Sequence, residues 1–227
     1  MELGFIDKPR HVVCAAFTYG EHAREFGVDL KAGGAPVFIL KSPNSLVRDK
    51  VPVILPNLSQ WLKTPEPWGW VTGEVELAVV IGDKAHNLRI GEVERYIQGY
   101  TILNDVTQRD LERSGYPFSM AKSFPTFGPC GPRVVKLDEL PDPSAMRLRM
   151  RINGKTVQDA STSEMNISIF ELVTAASKFV ALERGDIIST GTPPGCLSYR
   201  LQVGDVMEAE IEGIGTLTNK VVAHKRV

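Results

Sequence analysis

Cysteine and histidine are scarce in this 227-residue sequence, with three of the former and four of the latter. Cys14, Cys130 and Cys196 are odd in number and far apart, which fits neither a disulfide framework nor the sequence pattern of a zinc site. No apolar run reaches membrane-spanning length, and the opening Met-Glu-Leu-Gly-Phe-Ile-Asp-Lys-Pro is not that of a signal peptide. No block of one charge sign occurs. Lys and Arg number 26 against 27 Asp and Glu, a net charge of −1, so neither a nucleic-acid nor a membrane-surface partner is expected. No internal repeat is evident. What remains is the expectation of a soluble, cytoplasmic protein long enough to bury a real core.

Residues 11–17 form a short β-prone run, 19–26 is helix-compatible, and a glycine patch at Gly33-Gly34 precedes a strand over 36–40. The stretch 42–70 is rich in proline, asparagine and tryptophan, with a strand only at 51–55. Further strands are expected over 73–82, 100–106, 147–152, 206–211 and 216–223, with a short helix over 91–98. The alternation of 147–152 runs into Asn153-Gly154, a strong hairpin signal. Proline and glycine through 123–132 predict irregular chain. The best helix spans about 168–182, with Ser168 and Glu171 as a capping box and Gly185 able to supply a left-handed C-terminal residue. Strands outnumber helices without a regular β-α-β order, so the fold class is α+β with a mixed or antiparallel sheet.

Glu74 and Glu76 lie one residue apart, and Asp105 follows in Asn104-Asp105-Val106-Thr107. On a strand, residues i and i+2 share a face, so both glutamates can reach one ion while Val75 and Leu77 pack behind. Glu208, Glu210 and Glu212 have the same spacing, and there plain alternation facing Arg147, Arg149 and Arg151 on a neighbouring strand explains it. The difference is context. After Glu76 the chain reads Leu-Ala-Val-Val-Ile-Gly, apolar on both faces, so adjacent carboxylates would enter a central strand and lose hydration. A shared hard cation, Mg²⁺ or Mn²⁺ before Zn²⁺, resolves the repulsion.

Phe38-Ile-Leu-Lys41-Ser-Pro43, the run 73–82, the run 99–110 from Gly99-Tyr-Thr-Ile-Leu-Asn-Asp, Ala121-Lys-Ser-Phe124 and the run 185–195 occur in this order. Together they resemble the short single-domain branch of the fumarylacetoacetate hydrolase family. The resemblance implies one catalytic domain over 1–227, a mixed β-roll with short helices like the family's C-terminal domain, with about 1–50 an N-terminal extension carrying a lid. It also implies Mg²⁺ or Mn²⁺ on Glu74, Glu76 and Asp105, a small 2-oxo or β-diketo acid as substrate, and a homodimer.

The residue types suggest roles within that frame. Lys122 can place an ammonium near the substrate oxygens, and Arg109 can clamp a carboxylate bidentately or pair with a nearby acid. Thr190 and Thr192, flanking Gly191, lie on a turn able to hold the substrate's carboxylate. His22 and Glu25, at i and i+3, share a helical face, so the carboxylate can orient the imidazole as a base. In the family's single-domain branch, a pair at this spacing occupies a mobile lid. Departures from the family pattern are Glu112, a shortened segment between Arg109 and Lys122, Cys196-Leu after Pro-Pro-Gly195, and the segment 57–72 with Trp61, Trp68 and Trp70. The expected reaction is metal-dependent hydrolysis of a C–C bond in an acylpyruvate-type acid through an enolate. Oxaloacetate decarboxylation or isomerisation of a 2-oxo or 2-hydroxydienoate acid is the alternative on the same site. A catalytically silent metal-binding homologue is the third reading.

Overall fold

The structure is a computed structural model and describes residues 8–28, 35–140 and 142–224. The Gly33-Gly34 patch and residues 1–7 lie outside the described residues. The first half of the chain forms β1 (Val12–Ala16), α1 (Gly20–Glu25), β2 (Val37–Lys41), β3 (Leu46–Val47), β4 (Val53–Leu55), β5 (Val71–Thr72) and β6 (Val75–Ile81). Next come β7 (Ile97–Asn104), β8 (Thr107–Gln108), α2 (Arg109–Arg113), α3 (Phe118–Lys122) and β9 (Gly128–Val135). The chain then continues through β10 (Arg147–Ile152), β11 (Lys155–Ser161), α4 (Ile169–Phe179), β12 (Ile187–Ser189), β13 (Val206–Ile211) and β14 (Gly215–Ala223).

A seven-stranded sheet has the order β2-β1-β12-β6-β7-β9-β3, and a five-stranded one the order β11-β10-β13-β14-β4. Both mix parallel and antiparallel pairs: β1 runs parallel to β12, whereas β6 is antiparallel to β7 and β12. This is the expected α+β class. β1 and β2 are built into the larger sheet, and α1 is the excursion between them. Among the described residues no helix is long and apolar enough to cross a membrane.

β6 is the hub. Every residue in it is buried, and its two faces serve different cores. Leu77, Val79 and Ile81 join Leu148, Met150, Met207 and Ala209 in the main core between the sheets. Ala78 turns the other way into a smaller cluster with Val12, Cys14, Ile39, Leu103 and Cys130. By strand alternation Glu74 and Glu76 share the face of Ala78.

Several local readings hold. Asn153 and Gly154 both have positive φ, 52° and 77°, in the turn joining β10 to β11. β13 lies against β10 with Arg149 opposite Glu210 and Arg151 opposite Glu208. The expected charge ladder therefore exists, except that Arg147 pairs with Asp159 on β11 instead. Ser168 caps α4 reciprocally with Glu171.

Three readings need correction. The 123–132 stretch is not wholly irregular, because Gly128–Val135 is strand β9. Its register on β7 shifts between Tyr100 and Ile102, and an interrupted ladder tolerates prolines that cannot donate. α4 ends at Phe179 with Val180 extended, because Leu182 exchanges backbone hydrogen bonds with Ala85. Gly185, at φ 86°, serves the turn before β12 rather than the helix end. The 91–98 segment is a 3₁₀ turn, Ile90–Tyr96, rather than an α-helix.

Candidate active site

The end of β7 and the start of β6 are stitched together by one side-chain and one backbone hydrogen bond. Glu74 N donates to Asn104 Oδ1 at 2.9 Å, and Asp105 N donates to the Glu74 carbonyl at 2.9 Å. This brings carboxylates separated by about thirty positions to one point. The ligand oxygens of Glu74, Glu76 and Asp105 lie within 4.8 Å of one another, and all three residues are buried.

Cations surround two of the three acids. Lys122 Nζ donates to Glu74 Oε2 and to Asp105 Oδ2, each at 2.7 Å, and to Thr107 Oγ1 at 2.8 Å. Lys41 Nζ donates to Asp105 Oδ1 at 2.8 Å and to the Lys122 carbonyl. Arg109 donates to Glu74 Oε1, to Glu112 Oε2 at 2.9 Å and to Thr72 Oγ1 at 2.9 Å. Burial alone would raise the Glu74 pKa, but Arg109 and Lys122 hold its carboxyl well below the usual range. Burial likewise opposes the charge on Lys122, yet Asp105 and Glu74 hold its ammonium above the ordinary lysine value.

Glu76 is different. It accepts from Ser189 Oγ and, at 3.3 Å, from Gly191 N, and among the described residues it has no ion-pair partner. Burial, then the charges of Asp105 and Glu74, push its carboxyl well above the usual range. Glu74, Asp105 and Glu112 balance Lys41, Lys122 and Arg109, so the site gains one negative charge in excess when Glu76 gives up its proton, as it would to a bound cation. An all-oxygen donor set with excess negative charge fits a hard divalent ion.

His22 enters the same cavity from α1. Its Nδ1 lies 3.0 Å from Glu25 Oε2, and its ring packs between Phe17 and Phe26, with centroids 6.1 Å and 5.0 Å away. Phe17 holds φ at 59°, a conformation uncommon for a bulky residue, and so directs its ring at the histidine. Glu25 Oε1 accepts from Gly195 N at 2.9 Å, tying α1 to the loop after β12. The cavity is lined by His22, Glu74, Glu76, Asp105, Arg109 and Lys122, with Thr192 and the rings of Phe17, Phe26 and Phe118.

Of the residues singled out in the sequence, Glu25 and Thr190 do not line this cavity. Glu25 stands behind His22. Thr190 Oγ1 donates to the Leu77 carbonyl at 2.9 Å, and its own carbonyl accepts from Thr18. Thr192 Oγ1 donates to the Val75 carbonyl at 3.1 Å and accepts from Gln158 at 2.9 Å, so it reaches the cavity wall as a fixed group. Gly191, at φ 92°, cannot be replaced quietly, since a Cβ there would meet Thr18 Oγ1 at 2.1 Å. Glu112 does not stand free to repel an anion, because Arg109 neutralises it.

Lys41, Ser189 and Cys196 belong to the site and escaped the reading of residue types. Lys41 stood in one of the runs carrying the family resemblance, and that was its one signal. Cys196 places Sγ 3.4 Å from Arg109 Nη2 and 3.9 Å from His22 Nδ1.

Residues 11–222 match the family described as fumarylacetoacetate (FAA) hydrolase C-terminal. The chain belongs to this family. The mitochondrial oxaloacetate tautomerase Fahd2a of Rattus norvegicus is 35% identical over 223 residues, 96% of this chain and 68% of that one. The solved 5-carboxymethyl-2-hydroxymuconate delta-isomerase of Mycobacterium smegmatis superposes with a TM-score of 0.83 at 35% identity, covering 96% of this chain and 81% of that one. Fumarylpyruvate hydrolase of Pseudomonas aeruginosa, solved with Mn²⁺ and pyruvate, gives 0.83 at 26% identity over 95% of this chain and 91% of that one. Family members are enzymes, and these relatives span tautomerase, isomerase and hydrolase.

Proposed function

We propose that the protein is a divalent-metal-dependent enzyme of enolate chemistry, and that it interconverts the keto and enol forms of an oxaloacetate-type 2-oxo diacid. The observation that carries this reading is the buried imidazole of His22, held by Glu25, in one cavity with three convergent carboxylates. Glu74, Glu76 and Asp105 would hold Mg²⁺ or Mn²⁺. Bound there, the ion would supply Lewis acidity toward the oxygens of a 2-oxo acid.

The chain's own groups do the rest. Nδ1 of His22 faces Glu25, which leaves Nε2 as the nitrogen that exchanges a proton. Nε2 accepts a proton from carbon 3 of the keto acid, and the freed electron pair moves to the oxygen on carbon 2. The same proton is then returned to that oxygen, so the enol forms with no net exchange. Glu25 stabilises the transient imidazolium. Lys122 sets a fixed ammonium beside the developing negative charge. Arg109 secures Glu74 rather than standing free as a clamp. Phe17, Phe26 and Phe118 keep bulk water from the enolate.

Hydrolysis of an acylpyruvate, the leading expectation from sequence, becomes the second reading. The same dyad would activate a water, and the P. aeruginosa hydrolase favours it. The tautomerase and isomerase relatives stand at 35% identity to this chain, the P. aeruginosa hydrolase at 26% and the fumarylacetoacetate hydrolase of Exiguobacterium antarcticum at 34%, so identity favours keto–enol conversion only by a narrow margin. The test follows the decay of enol-oxaloacetate absorbance in the presence of Mn²⁺. His22→Ala should slow the conversion by roughly 10²–10⁴ while Mn²⁺ still binds. An unchanged rate overturns the assignment. Release of pyruvate from acetylpyruvate, with no effect on the enol, would move the enzyme to the hydrolase branch.

A further inference from the structure

A second donor set adjoins the carboxylate triad and differs from it in chemistry. His22, Glu25 and Cys196 offer a nitrogen, an oxygen and a sulfur whose ligand atoms all lie within 4.8 Å of one another. The individual separations are 3.0 Å from His22 Nδ1 to Glu25 Oε2 and 3.9 Å from Cys196 Sγ to His22 Nδ1. Ligands of a tetrahedral Zn²⁺ ion, with bonds of about 2.0–2.3 Å, stand about 3.5 Å apart. These two spacings fall on either side of that value, and the Glu25–Cys196 pair lies within 4.8 Å. His22 and Cys196 are buried, and Gly195 N–H steadies Glu25 through its second oxygen, the kind of outer contact that fixes a metal ligand.

We infer that His22, Glu25 and Cys196 form a binding site for Zn²⁺, separate from the hard-ion site at Glu74, Glu76 and Asp105. Softness separates the two: thiolate and imidazole select zinc, whereas three carboxylates suit magnesium or manganese. The pattern is invisible along the chain, because Cys196 lies far from the His22–Glu25 helix and meets it only through the loop after β12. Ligation would expel a proton from Cys196, whose thiol is held protonated in the free protein by burial and by the charge of Glu74. Where the proposed proton transfer by His22 holds, zinc also inhibits, because the ion takes the ring out of that exchange.

The test uses Co²⁺ as a spectroscopic stand-in for zinc, on the whole protein with the triad blocked by Glu76→Gln. Thiolate ligation gives an intense sulfur-to-cobalt charge-transfer band, which the carboxylate site cannot produce. The band is expected in the Glu76→Gln protein, to vanish in Glu76→Gln with Cys196→Ser, and to be displaced by Zn²⁺. Glu25→Gln, which leaves the thiol in place, should weaken Co²⁺ binding at least tenfold. No charge-transfer band in a protein with reduced Cys196, or unchanged Co²⁺ affinity in both the Cys196→Ser and Glu25→Gln proteins, overturns the site. These readouts need no turnover, so they stand apart from the tautomerase reading. With enol-oxaloacetate and saturating Mn²⁺, micromolar zinc should then inhibit the native protein, and in Cys196→Ser, read against that variant's own zinc-free rate, inhibition should need at least tenfold more zinc.

Discussion

Glu76 shows how a single side chain carries the logic of the site. Its carboxyl is raised by burial and by Asp105 and Glu74, so the folded chain holds its proton more tightly than the unfolded chain does. The sign follows from linkage. Such a group favours folding fully below the unfolded glutamate value of about 4.3, and that benefit is lost as pH rises toward the folded value. Glu74, which is lowered, acts oppositely, and its contribution disappears only as pH falls below the same value. Metal-free protein should therefore lose stability to urea as pH rises above the unfolded glutamate value of about 4.3, and Glu76→Gln should flatten that slope. An identical slope in the variant would show that Glu76 is not the group responsible. Lys41 is the second residue-scale case. Lys41→Ala strips Asp105 of a buried partner and should cost about 3–5 kcal/mol, read from denaturant unfolding. A loss below about 1 kcal/mol would mean that Lys122 alone compensates Asp105.

These two residues also mark where the chain is legible and where it is not. Glu76 could be read because two acids entering an apolar strand conflict with their neighbours. Lys41 could not be read from its residue type, because its strand inverts the usual pattern. Leu40 points outward and is 55% exposed, whereas Lys41 points inward and is 2% exposed. Only the partner across the fold, Asp105, explains the inversion.

Elements were legible where a local signal and the tertiary environment agree. The capping box at Ser168, the turn at Asn153-Gly154 and the alternation of β10 and β13 all have causes within a few residues. Ser168→Ala should therefore cost about 1 kcal/mol and lower the melting temperature by roughly 2–4 °C. A melting temperature unchanged within a degree or so would assign helix stability to packing alone. β9 and the end of α4 were missed because their causes are remote. β9 forms despite its prolines by pairing with β7, and α4 stops because Ala85 takes up Leu182. Helix α1 is a mixed case. Its His22–Glu25 spacing is visible, but its anchor through Gly195 and the proximity of Cys196 depend on how β12 ends.

At the scale of the whole molecule, two sheets pack through the main core, and the larger one offers its opposite face to the chemistry. β6 divides those tasks residue by residue, Leu77 and Val79 inward and Glu76 toward the cavity. Family membership over residues 11–222 agrees with that architecture. The central claim is that the carboxylate triad works through a bound ion. It is tested most directly by stripping the protein of metal and following enol-oxaloacetate while Mn²⁺ is added back, beside Glu76→Gln treated identically. Metal-dependent catalysis requires no acceleration without the ion, full recovery on its return, and no recovery in Glu76→Gln at the same concentration. Conversion at the native rate by the stripped protein, or full recovery in Glu76→Gln, would contradict it.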